Sequence, residues 1–351
     1  MLALSPELCG RIVELSADRR RDLLSLCVTC KAFQREAEIR IYTDVNLSEP
    51  AQALIACNAL TSNERLAQYV RNFCFNQEYP PRRSQDTNLG RDFWKTIQLA
   101  LIAVCNLENL LISDASYQNS WILDSPDIKF KLREVKLRFT WDEPIVRFLQ
   151  TQTSLRNLHF YYLDEVTHHV QPQNLPELRV FDGSLTIGMQ LVQSSITHIQ
   201  LVVDCEAAPS LTLFPLFGSL RKTLRGFSLL DIPDEISLPT LDIISRFLPD
   251  LRHLGLFPYP LAGRQEFLQY LMRMHYLEII ELDVGRWVER PTSSSAQRAL
   301  ASEIRTFCPT IKMIVFWISN TRYTWTHNTN QWESVAHARQ YPQLSNTWCL
   351  A

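Results

Sequence analysis

Cys27 and Cys30 stand two residues apart, the spacing of a dithiol redox centre or of half a zinc site. A structural zinc site needs four ligands, and no second pair lies in range, so the two thiols are read as part of a buried helix face. His168 and His169 follow Asp164 and Glu165, residue types that bind metal or take up protons. No third ligand is arranged around them, and a solvated turn is expected. With only nine glycines, the chain contains no phosphate-cradling Gly-x-x-x-x-Gly-Lys-Ser/Thr and no Gly-x-Gly-x-x-Gly. The Gly-x-Ser-x-Gly elbow and His-Glu-x-x-His are absent too. The expectation is a protein that catalyses nothing and holds neither cofactor nor metal.

Bulk properties narrow the alternatives. The 351 residues are 46% hydrophobic and 21% charged with a net charge of −2, which argues for a large core and against disorder or a strongly basic nucleic-acid surface. Arg19, Arg20 and Arg21 form a basic run, but residues 1–50 carry seven Lys and Arg against eight Asp and Glu. No membrane contact is therefore read into it. The longest apolar stretch, near Leu99 to Cys105, is too short to span a bilayer, and no signal-peptide core precedes the first capped helix. Nine cysteines, an odd number in apolar settings such as Phe73-Cys74-Phe75 and Val104-Cys105, suit buried free thiols. The expected location is reducing, cytoplasmic or nuclear.

The elements that carry function begin at once. Ser5 can cap a helix, Pro6 suits its first position and Glu7 its positive end. Leu8, Ile12 and Leu15 then share a stripe, and Leu23 to Cys30 is apolar nearly all round. Helices this short are marginal alone, so their faces must meet the rest of the chain or a partner.

Leu4-Ser-Pro6-Glu7-Leu8 with Ile12, then Leu23-Leu24-x-Leu26-x-Val28-x-Cys30-Lys31-x-Phe33, resembles an F-box of the fungal type. The resemblance covers about Leu4 to Tyr42. It implies docking of these helices on the Skp adaptor of a cullin-RING ubiquitin ligase, with the rest of the chain holding the target. Pro6, Leu8, Ile12, Leu23, Leu24 and Val28 are the candidate adaptor-binding residues, and some of them must instead hold the helices together.

An apolar triplet at positions x, x+3 and x+5 recurs from Val70-Phe73-Phe75 through Leu178-Phe181-Gly183 to Ile311-Ile314-Phe316. At this composition one triplet arises by chance at about one position in ten, so the recurrence carries the argument. There are ten copies, and six of the nine intervals fall within the ~20–29 residues of a leucine-rich repeat. The similarity to that family lies in structural type, because no copy has the Asn or Cys that follows the family's strand. Each repeat is expected to give a short strand and a return. Segments Glu143–Leu149, Leu241–Leu248 and Gln265–Met274 have helical spacing, and Pro176, Pro249 and Pro309 stop the returns.

The expected fold is α/β. Residues 1–48 form a short helical F-box-like module, and residues 49–320 a leucine-rich-repeat-like solenoid with a curved parallel sheet. A linker helix at 51–66 joins the two through Leu54, Ile55 and Leu60. Residues 321–351, with Tyr323, Trp325, Trp332, Tyr341 and Trp348, form a terminal cap or tail, and Asn76–Asp92 an exposed loop.

Counting two, four and six residues on from each triplet's first position selects the concave face. The candidate target-binding residues are Lys136, Arg138, His159, Tyr161, His198 and Phe257. Lys136 and Arg138 suit an acidic or phosphorylated segment. The function expected is substrate recognition for an SCF-type ligase, with no nucleic acid and no membrane among the partners. The alternative is an interaction scaffold that never meets a ligase.

Overall fold

The computed structural model describes residues 4–16, 19–76, 89–161, 168–203, 211–319, 321–328, 331–336 and 347–349. Asp164, Glu165, Tyr341 and residues 77–88 of the expected loop lie outside them. Contacts divide the chain into two compact units, Met1–Leu155 and Arg156–Ala351.

In the first unit, local chemistry starts the chain as read. The Ser5 hydroxyl accepts the Leu8 amide hydrogen at 3.4 Å, and Pro6 opens helix α1 (Pro6–Leu15). Helices α2 (Arg20–Cys27) and α3 (Lys31–Thr43) follow. Val13, Leu23 and Ala37, one from each helix, make a shared core bordered by Leu26, Cys27, Phe33 and Ile41. Helix α3 runs directly into strand β1 (Asp44–Leu47), inside the stretch expected to be helical. The linker helix is two helices, Pro50–Ser62 and Glu64–Ala67, with Asn63 capping the second. Its buried edge is Ala53, Cys57 and Leu60 at helical spacing, whereas Ile55, expected to join modules, faces solvent.

Strand β1 is followed by β2 (Asn72–Asn76), β3 (Asn109–Ser113) and β4 (Glu134–Arg138), which pair in parallel in chain order. Within the second unit β5 (Asn157–Phe160), β6 (Val180–Ser184), β7 (His198–Val202), β8 (Gly226–Leu230), β9 (His253–Pro258), β10 (Ile279–Asp283) and β11 (Met313–Ile318) do the same. Strands β12 (Thr321–Asn328) and β13 (Gln331–Ala336) then add in antiparallel fashion. The fold is mixed α/β on an open, mostly parallel sheet.

The triplets account for this register. Phe73, Leu110 and Val135 align across β2 to β4, and Leu158, Phe181, Ile199, Phe227, Leu254, Ile280 and Ile314 across β5 to β11. All ten are buried. Helical returns cover this core face, including Glu143–Thr151, Asp234–Phe247, Arg264–Leu271 and Ser294–Phe307. Gly183 replaces the third apolar residue for a steric reason: a Cβ there would meet the Phe160 carbonyl oxygen at 2.7 Å and the Phe181 ring at 2.8 Å.

One strand departs from the period of two. The β9–β10 register shifts, so that Leu254 opposes Ile280 but Phe257 opposes Leu282, and Leu256 sits at φ 57°. This β-bulge turns Phe257 into the core and Leu256 to the opposite face. Phe257 is thus not on the target face expected for it, because the alternation rule assumed an unbroken strand.

The thiols also divide. Cys9, Cys57 and Cys308 are buried, but Cys30 and Cys105, expected inside, are exposed. Burial pushes the Cys57 thiol up to about 12.

Candidate functional site

Two surfaces stand out, one in each unit. On the helical module, Cys9 and Val13 turn inward and the Leu8–Ile12–Leu15 stripe turns out. Leu8 is 54% exposed, Leu24 53% and Val28 86%; Ile12 and Pro6 are exposed as well. Leu23, grouped with them in the sequence, is 5% exposed. It holds α2 against Val13 and Ala37, while Leu24 and Val28, four residues apart, point away from that core. Burying one such leucine on a partner is worth about 1.5–3 kcal/mol, so a monomer gains nothing by displaying them together.

Each unit also presents a sheet face opposite its own core, and that of the second unit is the other surface. In the first unit its two candidate cations are engaged. Lys136 pairs with Glu134 at 2.9 Å, and Arg138 lies 4.8 Å over the Tyr117 ring while its Nε–H donates to the Tyr117 hydroxyl at 2.7 Å.

In the second unit this face is centred on a buried carboxylate. Asp182 is 2% exposed, and its Oδ2 lies 3.1 Å from His159 Nδ1 and accepts the Tyr161 hydroxyl at 2.8 Å. Its Oδ1 accepts Gln200 Nε2–H at 3.1 Å. His198 is bonded to the Thr197 hydroxyl at 2.9 Å. A second buried carboxylate, Glu281, faces His253 Nε2 at 3.1 Å and accepts the Trp317 indole N–H at 2.9 Å. Burial works to raise the Glu281 pKa, but the hydrogen bond and charge of His253 and the bond from Trp317 outweigh it, leaving it below the ordinary carboxylate value. Of the six candidate target-binding residues, the fold thus brings His159 and Tyr161 together on one acceptor. Asp182 was missed in the sequence, although the same counting rule places it four residues after Leu178.

The C-terminal segment returns to this face. The turn Thr347–Cys349 packs on β7, β8 and β9, and the Trp348 ring meets His159 edge-on with centroids 6.5 Å apart. Trp348 is 2% exposed. Gly226 is required beneath it: a Cβ there would meet the Trp348 carbonyl oxygen at 2.6 Å and the His198 ring at 2.7 Å. Burying one indole yields about 4–6 kcal/mol at ~25 cal/mol per Å2. Ordering each residue of the turn costs about 1–2 kcal/mol. The net hold on the segment is therefore small.

Beyond the turn, Leu230, Leu256, Val315 and Trp317 form an apolar cluster. Leu230, Leu256 and Trp317 of this cluster line a recess of about 220 Å3, together with Asp231, Asp283, Arg286 and Ser319. Three lining residues, Asp231, Leu256 and Ser319, have φ between 49° and 57°, the left-handed region that side chains pay to enter.

The Trp348 ring stands against His159, whose Nδ1 faces Asp182, and among the described residues no group of His, Cys, Asp and Glu could hold a metal. Cys27 lies against the helical core, Cys30 is exposed, and His169 is exposed next to a half-buried His168. Among the described residues no helix is long and apolar enough to cross a membrane. No protein-family model and no curated protein matches this sequence.

Proposed function

We propose that the chain is the substrate-recognition subunit of an SCF-type cullin-RING ubiquitin ligase. Helices α1 to α3 form an F-box that binds the Skp adaptor, and the strand ladder is a leucine-rich-repeat-like solenoid whose concave face binds a target protein. The observation that carries this reading is the outward stripe of Leu8, Ile12, Leu24 and Val28 on helices that already have a core of their own. A surface that is apolar without being needed for folding is what a docking module presents.

The chain itself catalyses nothing on this reading. Holding target and ligase together raises their effective concentration, the general gain from linking two binding modules. The work is done in the cytoplasm or nucleus, where the ligase and reduced thiols are found. The supporting experiment is co-expression with the Skp adaptor and a cullin: all three should co-elute, and elution of the chain apart from the adaptor would favour a scaffold without a ligase.

A further inference from the structure

We infer that the sheet face over β6 to β9 is a peptide groove for a tryptophan-bearing segment, and that Thr347–Cys349 is its displaceable resident. The inference deepens the reading of that face as the target surface, and rests on it for the identity of the competitor only.

Three observations converge on the groove. Trp348 is fully covered against His159, so the face has a built slot for an indole. Gly226 has no side chain where the Trp348 carbonyl oxygen crosses the strand, so the slot also fits backbone. Finally, two buried polar atoms on the strands either side of β8 have no hydrogen-bond partner among the described residues, Gln200 Oε1 and His253 Nδ1. His253 is the cross-strand neighbour of Gly226, and Gln200 on β7 is opposite Ser228, two residues further along the strand.

Both atoms leave a polar place open to a ligand. The Gln200 amide oxygen only accepts. His253 Nε2 is taken up by Glu281, which leaves Nδ1 as the ring nitrogen open to a further partner. Two such polar atoms beside a backbone-sized gap and an indole slot fit a peptide that supplies backbone polar groups and a tryptophan. The resident turn fills the slot and leaves both atoms unused. A target segment that uses them has an advantage over it.

The test uses the full chain and a fluorescein-labelled peptide with the sequence of residues 343–351 carrying Cys349→Ser. Anisotropy should give at least tenfold tighter binding to the Trp348→Ala protein than to the wild type, whose own tail competes. Adding Gly226→Val to that variant should abolish binding, and a peptide with Trp348→Ala should not compete. Equal affinity of both proteins, or equal competition by the tryptophan-free peptide, would overturn the inference. Wild-type protein gives an independent reading in case the variants misfold. Excess unlabelled peptide should speed alkylation of Cys349 at least fivefold by mass spectrometry, and an unchanged rate would overturn displacement. Adaptor capture by the same preparations separates the two ideas: exchange of the tail without adaptor binding removes the ligase reading and leaves the groove.

Discussion

His253 and Glu281 face each other across β9 and β10 at 3.1 Å, with side-chain exposures of 0% and 2%. A carboxylate so placed would be costly to keep charged but for His253 and Trp317, and their bonds hold its pKa below the ordinary 4.5. A depressed folded value means that the unfolded chain binds the proton more readily. The stability it contributes is present above about pH 4.5 and is lost as pH falls through the folded pKa. Urea midpoints measured from pH 7 to pH 3 should therefore fall more steeply for the wild type than for Glu281→Gln. Parallel curves would remove Glu281 from the acid limb.

Asp182 accepts from His159, Tyr161 and Gln200, so deleting it strands several buried or half-buried donors. Asp182→Ala is expected to cost at least ~2 kcal/mol in urea unfolding, and Asp182→Asn, which keeps one acceptor oxygen, less. An unchanged midpoint for the alanine variant would contradict the network.

The bulge in β9 makes a separate claim. With Phe257 opposite Leu282 in the core, Phe257→Ala should cost about 3–5 kcal/mol. A loss below ~1 kcal/mol would return Phe257 to the exposed face, where uninterrupted alternation puts it.

Thiol accessibility checks burial across the chain. Brief maleimide treatment at pH 8, read by peptide mass spectrometry, should modify Cys30 and Cys105 and spare Cys9, Cys57 and Cys308. Rapid modification of Cys57, whose thiol burial pushes up to about 12, would be inconsistent with its place on the buried edge of the helix Pro50–Ser62.

The strands were legible because each of ten triplets places two or three apolar side chains on one face, a local signal that pairing only had to bring into line. Helix α1 was equally legible through Ser5 and Pro6. What sequence could not sort was the division of an apolar cluster: Leu23 and Leu24 are adjacent and chemically identical, yet one is core and the other surface, a matter of which side α1 and α3 occupy. Strand β1 was not legible although Tyr42, Val45 and Leu47 have the same spacing, because that stretch lies at the end of the expected helical module. Leu256 and Phe257 exchange roles through one left-handed residue that composition does not mark. The cations at Lys136 and Arg138 looked available because their partners Glu134 and Tyr117 can be recognised only once the chain is folded. Trp348 was visible as one aromatic residue of a terminal segment, but its return to the face of His159 is a long-range contact without a local signature.

The outward apolar stripe of the helical module is proposed as the adaptor-docking surface. Binding of the purified Skp adaptor to immobilised full-length chain, wild type against the Leu8→Asp, Ile12→Asp double variant, tests it most directly. Both residues lie outside the core of Val13, Leu23 and Ala37, so the variant should melt at the wild-type temperature. The wild type should bind the adaptor saturably and the variant at least a hundredfold more weakly, consistent with about 1.5–3 kcal/mol per buried apolar side chain plus the cost of burying a charge. No binding by the wild type, or equal binding by both proteins, would contradict it.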